Sequence, residues 1–569
     1  MSKEKGRKII LAALLSLMLT MMQVSGWQIS MKYGTSVHQS AFLQWIGVLE
    51  TWQCVLLGLV EACLLWVVIY VGFSWLERRA VPGSAMARRL PGYFWVGVGA
   101  VIFFIYLVFL AGCYPGFYNY DVGAQIPQAL YAEVPYDAHH PLLHTMVEGG
   151  IISLGYRIYP EDLSFGIFLY CAFQMLVCAA CFAYSLRFLY RRTGKGWLTA
   201  LAFCFYAFCP PVVMCAMSTT KDILCYVLLL VSVLRFYEIY DAMGREPSDR
   251  GTAVSDKRLG KFLPWLTAAV PLVLSCLFRN NVVYGVIVFG VLACILVKRN
   301  RRAQLACYAG VVCSYLVVNQ GLIYATDAVP ASVTEALSVP LQQIARLYVE
   351  EGEEAFTDRE LELLYSLVDR EMLWNYDPFI SDNIKYAFWC HIDVMMERKW
   401  ELAGLWAQKG LEYPGVYIAS FLDNTYQAWY PWTVVIEGDG YRRYFLIPDW
   451  RETDGEPLLP ALYDFFKNLN DEFSYARIPF LRLLFTTGTM FWVALIAWFY
   501  GLWRKDRGIL AAMGLTLLVS ATSLCGPVAD VRYYLILFYM MPICLGFLCP
   551  QMSRTAVSDA KETFLECGD

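Results

Sequence analysis

The chain has 569 residues, of which 58% are hydrophobic and only 17% are charged. A soluble domain is about 25% charged, so this composition excludes an ordinary soluble protein. The hydrophobic residues are also grouped in runs of roughly 17–25 residues, the length that crosses a bilayer core as a helix. The formal net charge is −4, and we expect no nucleic-acid partner. The sequence predicts an all-α, polytopic membrane protein.

Twelve apolar runs predict about twelve transmembrane helices, give or take two. The first run follows the basic stretch Lys3–Lys8 and resembles a signal peptide. It lacks a clear small-residue cleavage site, so we interpret it as a retained transmembrane helix. The predicted spans are residues 8–25, 52–75, 92–112, 163–187, 197–216, 221–240, 262–278, 281–298, 303–322, 480–503, 507–525 and 532–549.

Short loops rich in Lys and Arg lie between the predicted spans, for example Arg191–Lys195 and Lys298–Arg302. By the positive-inside rule these loops are cytoplasmic. An even number of spans then puts the N- and C-termini of this cell-membrane protein in the cytoplasm. The predicted domains are an N-terminal transmembrane module (1–322) with a first outer loop at 113–162, an extracytoplasmic domain (323–479), a C-terminal transmembrane module (480–550) and a cytoplasmic tail (551–569).

The segment 323–479 is rich in Asp and Glu and is too long to be a simple connection. Its pattern predicts a mixed, mainly helical domain with helices at Ser338–Glu351, Asp358–Met372 and Tyr386–Lys409. Aromatic stretches follow these helices, and they suit either stacking on sugar rings or a belt at the membrane interface. Their residues include Trp429, Tyr430, Trp432, Tyr441 and Tyr444.

The first outer loop carries the most informative polar stretch of the chain, Tyr114–Thr145. It holds Asp121 and three of the five histidines, His139, His140 and His144. Such groups at the end of an apolar helix are costly unless they line a polar cleft. Asp121 is therefore a candidate general base or cation ligand, or alternatively part of an Asx turn or a helix N-cap. The histidines can orient a phosphate, shuttle a proton or bind a metal, or can serve only in capping and hydrogen bonding.

Three more outer turns carry polar residues at the same predicted membrane level, which is where a site between helices can form. They are Lys221 and Asp222 at the start of one span, Arg279 and Asn280 between two spans, and Arg532 and Tyr533 at the last outer turn. The cations suit a phosphate, to which a guanidinium can donate two hydrogen bonds. Alternatively, Lys221 and Asp222 anchor a helix end, and the arginines snorkel to the interface.

The order of these motifs resembles the GT-C superfamily of integral membrane glycosyltransferases. More closely, it resembles a bacterial family of GT-C-like proteins classed as a domain of unknown function. The motifs are PG…D…Q, HHP..HT, TKD, RN, PLQQIAR, an aromatic stretch and GP…RY. They lie here at Pro115–Gln125, His139–Thr145, Thr220–Asp222, Arg279–Asn280, Pro340–Arg346, Trp429–Trp432 and Gly526–Tyr533. No single motif is specific, but their order covers most of the chain.

The resemblance implies a hexosyl or pentosyl transfer from a polyprenyl-phosphate-linked sugar to a cell-envelope acceptor on the outer face. It implies that Asp121 is the base or a metal contact. It also implies that Lys221, Arg279 and Arg532 stabilise the departing lipid phosphate, with the surrounding membrane lipid as a further partner.

This chain departs from the resemblance in a looser aromatic stretch and in its acids. Many GT-C members carry two adjacent acids, whereas Asp121 lies between Tyr120 and Val122. A second acid would have to come from Asp137 or Asp222, which leaves a divalent metal open. The alternative functions are a transporter or flippase of lipid-linked envelope precursors and a non-catalytic scaffold of GT-C type.

Overall fold

The computed structural model describes residues 3–33, 51–79, 90–160, 162–244, 258–433, 455–471, 478 and 480–549. Within these ranges the regular elements are helices, and β pairing is limited to isolated bridges without a sheet. Eight helices there are long and apolar enough to cross a membrane, or nine if one bent pair forms a single span. The chain is an all-α, multi-pass membrane protein.

The helices fall into three groups along the chain. The first group is α1 (Lys3–Lys32), α2 (Thr51–Arg79), α3 (Gly92–Gly112), α4 (Tyr120–Leu130), α5 (Leu142–Ile158), α6 (Ser164–Thr193), α7 (Gly196–Phe208), α8 (Pro210–Ala216), α9 (Lys221–Gly244), α10 (Arg258–Phe278), α11 (Val282–Leu296) and α12 (Arg301–Thr326). The second group is α13 (Ser338–Glu351), α14 (Asp358–Leu367), α15 (Asp382–Trp389), α16 (Ile392–Glu397), α17 (Lys399–Glu412) and α18 (Pro414–Trp429). The third group is α19 (Pro460–Asp471), α20 (Thr487–Arg504), α21 (Arg507–Thr522) and α22 (Leu535–Leu548).

Every one of the twelve predicted spans coincides with helical structure, but length and hydropathy support only eight or nine of them. Residues 197–216 form α7 and α8, which bend by 49° at a break before Pro210. Proline there removes a backbone donor that a continuous helix needs. Residues 262–278 and 281–298 form shorter apolar helices, and α20 is not among the candidate spans. The count of twelve and the orientation of the termini stay predictions.

The segment between α12 and α20 differs from its predicted helices. Ser338–Glu351 is correct, but the second predicted helix ends at Leu367 and is followed by a 3-10 helix, Arg370–Asn375. The predicted single helix Tyr386–Lys409 is wrong, because three short helices occupy that stretch, and the described part of the domain contains no sheet. The aromatic stretch that contains Trp429 begins within α18, which ends at that residue. Tyr441 and Tyr444 lie outside the described residues.

The helices α13–α18, here called the helical domain (338–429), have a hydrophobic core of their own. A second and larger core joins α3, α6, α9, α10, α21 and α22. The helical domain is tied to the end of α1 by a buried carboxylate. Asp423 accepts a hydrogen bond from Tyr33 at 2.7 Å and pairs with Arg346 at 2.6 Å. The helical domain thus packs against the transmembrane helices and is not a freely tethered module.

Candidate functional site

Two loops at one end of the helix bundle are joined by backbone hydrogen bonds. The N–H of Phe117 donates to the carbonyl of Met217 at 2.8 Å, and the N–H of Thr219 donates to the carbonyl of Phe117 at 2.9 Å. The Phe117 side chain is 2% exposed, so burial in the large core also anchors this loop. These contacts bring Asp121, near the start of α4, beside Lys221, the first residue of α9.

Asp121 lies at the centre of a set of polar contacts. Its Oδ2 accepts hydrogen bonds from Lys221 Nζ and from Arg532 Nη1, each at 2.9 Å. Asn119 is the N-cap of α4, since its Oδ1 accepts the N–H of Asp121 at 3.1 Å. The same oxygen accepts a bond from Arg532 at 3.3 Å. The N-cap role considered for Asp121 therefore belongs to Asn119, and the Asp121 carboxylate is free to pair with cations.

The charge of Asp121 follows from these partners. Burial alone would raise the pKa of its carboxyl, but the charges of Arg532 and Lys221 outweigh burial and hold that pKa well below its usual range. The group is an ionised carboxylate at neutral pH. A carboxylate held in this way is a weak base for as long as both cations stay bound to it.

His140 extends the same set of contacts. Lys221 Nζ lies 3.1 Å from Nδ1 of His140. Burial and the nearby Lys221 charge lower the pKa of His140 to about 2, so the imidazole is neutral. An ammonium group has donors only, so Nδ1 accepts and the ring proton lies on Nε2. His140 can therefore donate a hydrogen bond to an anion from Nε2.

Arg279 joins the set through Tyr533. Its guanidinium forms an ion pair with Asp222 and lies 4.2 Å from the centre of the Tyr533 ring. Arg532 Nη2 donates to the Tyr533 hydroxyl at 3.2 Å, so the two guanidinium groups contact the same tyrosine. Asn280 is half-buried, and its Oδ1 has no hydrogen-bond partner among the described residues.

Asp530 is a residue of this site that the sequence prediction missed. Its Oδ2 accepts a hydrogen bond from Arg532 Nε at 3.1 Å, and burial raises the pKa of its carboxyl to about 6. Asp530 thus shares a cation with Asp121, whereas the Asp137 carboxylate accepts the N–H of His139 at 2.8 Å. The D-x-R spacing in ADVR was the available signal. The contiguous set, here called the charge cluster, comprises Asp121, His140, Lys221, Asp222, Arg279, Asp530, Arg532 and Tyr533.

The other two predicted histidines are not members of the charge cluster, although the His139 ring contacts that of His140. His139 is exposed and lies 3.7 Å from Glu335 at the edge of the helical domain. His144 is fully buried on α5, where Nδ1 contacts Gln125 at 3.1 Å and Nε2 contacts the Tyr170 hydroxyl at 2.8 Å. Burial lowers the pKa of His144 to about 3, so this ring is neutral. His139 is therefore exposed, His140 belongs to the charge cluster, and His144 is buried.

Glu148 is a second residue that the sequence prediction missed. It lies four residues after His144 on α5, fully buried, with Oε2 3.5 Å from His144 Nδ1. Neither of its carboxyl oxygens has a hydrogen-bond partner among the described residues. Burial raises the pKa of Glu148 well above its usual range, which favours the neutral form of the carboxyl. The i, i+4 spacing to a histidine was its only signal.

A metal site was left open by the sequence. No group of three or more His, Cys, Asp or Glu side chains in the described part of the chain could hold a metal ion. The Oδ2 atom of Asp121 is engaged by two cations, which opposes its use as a metal ligand in this arrangement. A divalent metal stays an untested prediction.

An apolar groove of about 840 Å³ lies beside the charge cluster. Its walls are formed by α1, α11, α18, α20 and α21, and it extends along α21 from Arg507 to Ala521. At the end nearer the charge cluster the lining includes Leu524 and Tyr534. Tyr534 follows Arg532 and Tyr533 in one 3-10 helix, Val531–Tyr534. This short element therefore belongs to both the groove and the charge cluster.

Comparison with known proteins gives one match. Residues 133–563 match a protein family described as a family of unknown function, DUF6020. His140, Lys221, Arg279 and Arg532 lie within the matched region, and Asp121 precedes it. No curated protein and no solved structure matches the chain. The matched region covers most of the sequence, and this multi-helix membrane protein belongs to the DUF6020 family.

Proposed function

We propose that this chain is a membrane glycosyltransferase of GT-C type with cytoplasmic termini. It moves a sugar from a polyprenyl-phosphate donor to a cell-envelope acceptor on the outer face. The observation that carries the proposal is the meeting of the charge cluster and the apolar groove at Val531–Tyr534. A lipid-linked donor has a charged phosphate head next to a long apolar chain, which corresponds to the charge cluster next to the apolar groove.

The charge cluster supports binding of the donor phosphate. Lys221, Arg279 and Arg532 supply three cations in mutual reach, and His140 supplies a neutral donor at Nε2. Arginine binds phosphate oxygens through two parallel hydrogen bonds, and these gain strength where water is excluded. The groove would hold the polyprenyl chain, since its lining is almost wholly apolar.

Asp121 is the proposed base. In the described arrangement its carboxylate is neutralised by Lys221 and Arg532. A phosphate that draws these cations towards itself would remove the interaction that lowers the Asp121 pKa. The carboxylate would then gain basicity in the donor complex, where an acceptor hydroxyl needs it. Binding of the donor thereby prepares the base.

The proposed transfer step is a direct displacement. The acceptor hydroxyl oxygen bonds to the anomeric carbon while the bond from that carbon to the phosphate oxygen breaks. The electron pair of that bond leaves with the lipid phosphate, and the hydroxyl proton passes to Asp121. Arg279 and Arg532 stabilise the charge that develops on the phosphate. Attack from the side opposite the phosphate inverts the anomeric configuration.

The test uses the full chain in lipid nanodiscs with a panel of undecaprenyl-phosphate hexoses and pentoses. The readout is release of undecaprenyl phosphate on addition of cell-envelope acceptor extracts. General-base catalysis is worth about 10²–10⁴-fold, so Asp121→Asn should lose at least about 100-fold in rate. The exposed and remote Asp393→Asn is the matched control and should keep full activity. Full activity of Asp121→Asn would overturn the assignment.

A flippase for lipid-linked precursors is the second candidate, and the length of the groove along α21 favours it. Proteoliposomes separate the two functions. Movement of the lipid between leaflets without a glycosylated product identifies a flippase, whereas product formation without such movement identifies a transferase. A chain that does neither, but that keeps its fold, would be a scaffold.

A further inference from the structure

Helix α15 of the helical domain exposes an aromatic face. Tyr386 and Trp389 are 54% and 51% exposed, respectively, and lie three residues apart, which puts them on the same side of the helix. The opposite side is fixed in the core, since Ile384 and Phe388 are fully buried. Two large aromatic side chains are thus held outward by a rigidly packed helix.

The start of α15 is attached to the loop that precedes Asp530 and Arg532. The N–H of Ser381 donates to the carbonyl of Pro527 at 2.9 Å, and Ile380 pairs with Val528 in an isolated bridge. The aromatic face is therefore held close to the chain segment that carries Asp530, Arg532 and Tyr533 of the charge cluster.

The other side of α15 reaches the first outer loop. Lys385 pairs with Glu335 at 2.9 Å, and Glu335 lies 3.7 Å from His139, whose ring contacts that of His140. Lys385 Nζ lies 5.2 Å from the centre of the Tyr386 ring. Burial raises the pKa of the Tyr386 phenol, Lys385 lowers it, and the Asp382 and Glu335 carboxylates raise it further. The ring contact between His139 and His140 connects this side of α15 to the charge cluster.

The charges around this face indicate which ligand it can accept. Lys385 is shared by Glu335 and Asp382, at 2.9 and 2.7 Å, so one cation faces two carboxylates. The surroundings are therefore net negative, which opposes an anionic sugar. An uncharged pyranose has an apolar C–H face for the aromatic rings and hydroxyl groups for the neighbouring carboxylates.

We propose that Tyr386 and Trp389 form a stacking platform for an uncharged saccharide of the acceptor, beside the charge cluster. The assignment of this saccharide to the acceptor rests on the proposed function, whereas saccharide binding itself requires no transfer reaction. It also differs from the aromatic stretch at Trp429 and Tyr430, for which the sequence left sugar stacking and a membrane-interface belt open, because both of those residues are buried.

The first experiment measures binding of cellotriose, mannotriose and N,N′-diacetylchitobiose by saturation-transfer NMR, with a hyaluronan tetrasaccharide as the anionic probe. At least one uncharged probe should bind, and the anionic probe should bind at least tenfold more weakly. Tyr386→Ala and Trp389→Ala should each weaken binding about tenfold, the size of a lost aromatic contact. Tyr386→Phe and Trp400→Ala should bind within twofold of the wild type, since Trp400 is a matched, 79% exposed aromatic. A melting curve of each variant checks its fold.

Three outcomes overturn the platform. They are that no uncharged probe binds, that the two alanine variants bind as tightly as the wild type, or that Trp400→Ala weakens binding as much as those two variants do. A second measurement places the photo-crosslinker p-benzoylphenylalanine at position 389. Crosslinks to the saccharide support the platform, whereas crosslinks to phospholipid would assign the face to the bilayer surface. Saccharide binding without any transferase activity would leave the platform intact and overturn the proposed function. Transferase activity without saccharide binding at this face would overturn the platform and leave the proposed function intact.

Discussion

Replacing Asp121 with asparagine should destabilise the folded chain, because this carboxylate is shared by two buried cations. Lys221 and Arg532 each bind it at 2.9 Å, and the three side chains are 16%, 7% and 8% exposed for Lys221, Arg532 and Asp121. Removing one partner of a buried ion pair costs about 3–5 kcal/mol. Arg532 keeps Asp530 as a second partner, so we expect the lower end, about 3 kcal/mol.

The assay is the free energy of unfolding in lipid bicelles, measured by titration with sodium dodecyl sulfate. The exposed Asp393→Asn control should change it by no more than about 0.5 kcal/mol. Adding Lys221→Met to Asp121→Asn should restore part of the loss, because it removes the ammonium group left unpaired. The reasoning is refuted if Asp121→Asn costs no more than the control, or if the double variant loses the full sum of the two single variants.

Three further predictions concern pH and the groove. The pKa of His140 is lowered to about 2, so its stabilising effect is present above the unfolded value of about 6.5 and lost as pH falls. His140→Gln should therefore lose less unfolding free energy between pH 7 and pH 5 than the wild type, and equal losses would contradict this. Burial raises the pKa of Glu148, so the wild type loses stability as pH rises above about 4.3. Glu148→Gln should gain stability relative to the wild type between pH 5 and pH 8, and a pH-independent difference would count against a raised pKa of Glu148. Ala521→Trp narrows the groove and should raise the KM for an undecaprenyl donor about tenfold, because the apolar contact area that the lipid loses is worth about 1.4 kcal/mol. The KM for a donor with a ten-carbon lipid should not change. An equal rise for both donors would exclude the groove as the binding site of the lipid chain.

The positions of the transmembrane helices were predictable because apolar runs and basic loops are local signals. Their exact number was not, since the bend between α7 and α8 and the shortness of α11 depend on local geometry. In the helical domain the sequence predicted one helix for Tyr386–Lys409, whereas three are present. The periodicity continues across these breaks, because all three helices bury one face in the same core.

The members of the charge cluster were largely predictable as polar residues at span ends, but their contacts were not. Asp121 is 100 residues from Lys221 and 411 residues from Arg532 along the chain. No local pattern encodes such a pairing, which depends on the packing of α4, α9 and the Val531–Tyr534 element. Asp530 and Glu148 were missed because their local signals, a D-x-R spacing and an i, i+4 spacing to a histidine, are common and do not show which acid is buried in the folded chain. The exposure of Tyr386 depends on which side of α15 packs into the hydrophobic core.

The pairing within the charge cluster has a consequence for the order of events. Lys221, Arg279 and Arg532 each already have a carboxylate partner, so an anion must compete with Asp121, Asp222 or Asp530 for them. The phosphodiester of the donor carries one negative charge, as a carboxylate does, and it can bind the cations only by leaving Asp121 less neutralised; a second charge develops on the lipid phosphate as its bond to the sugar breaks. Asp121 is therefore a weak base in the empty site and a stronger base in the donor complex. The ion pairs that stabilise the empty site would thus make binding of the donor a precondition for activating the acceptor hydroxyl.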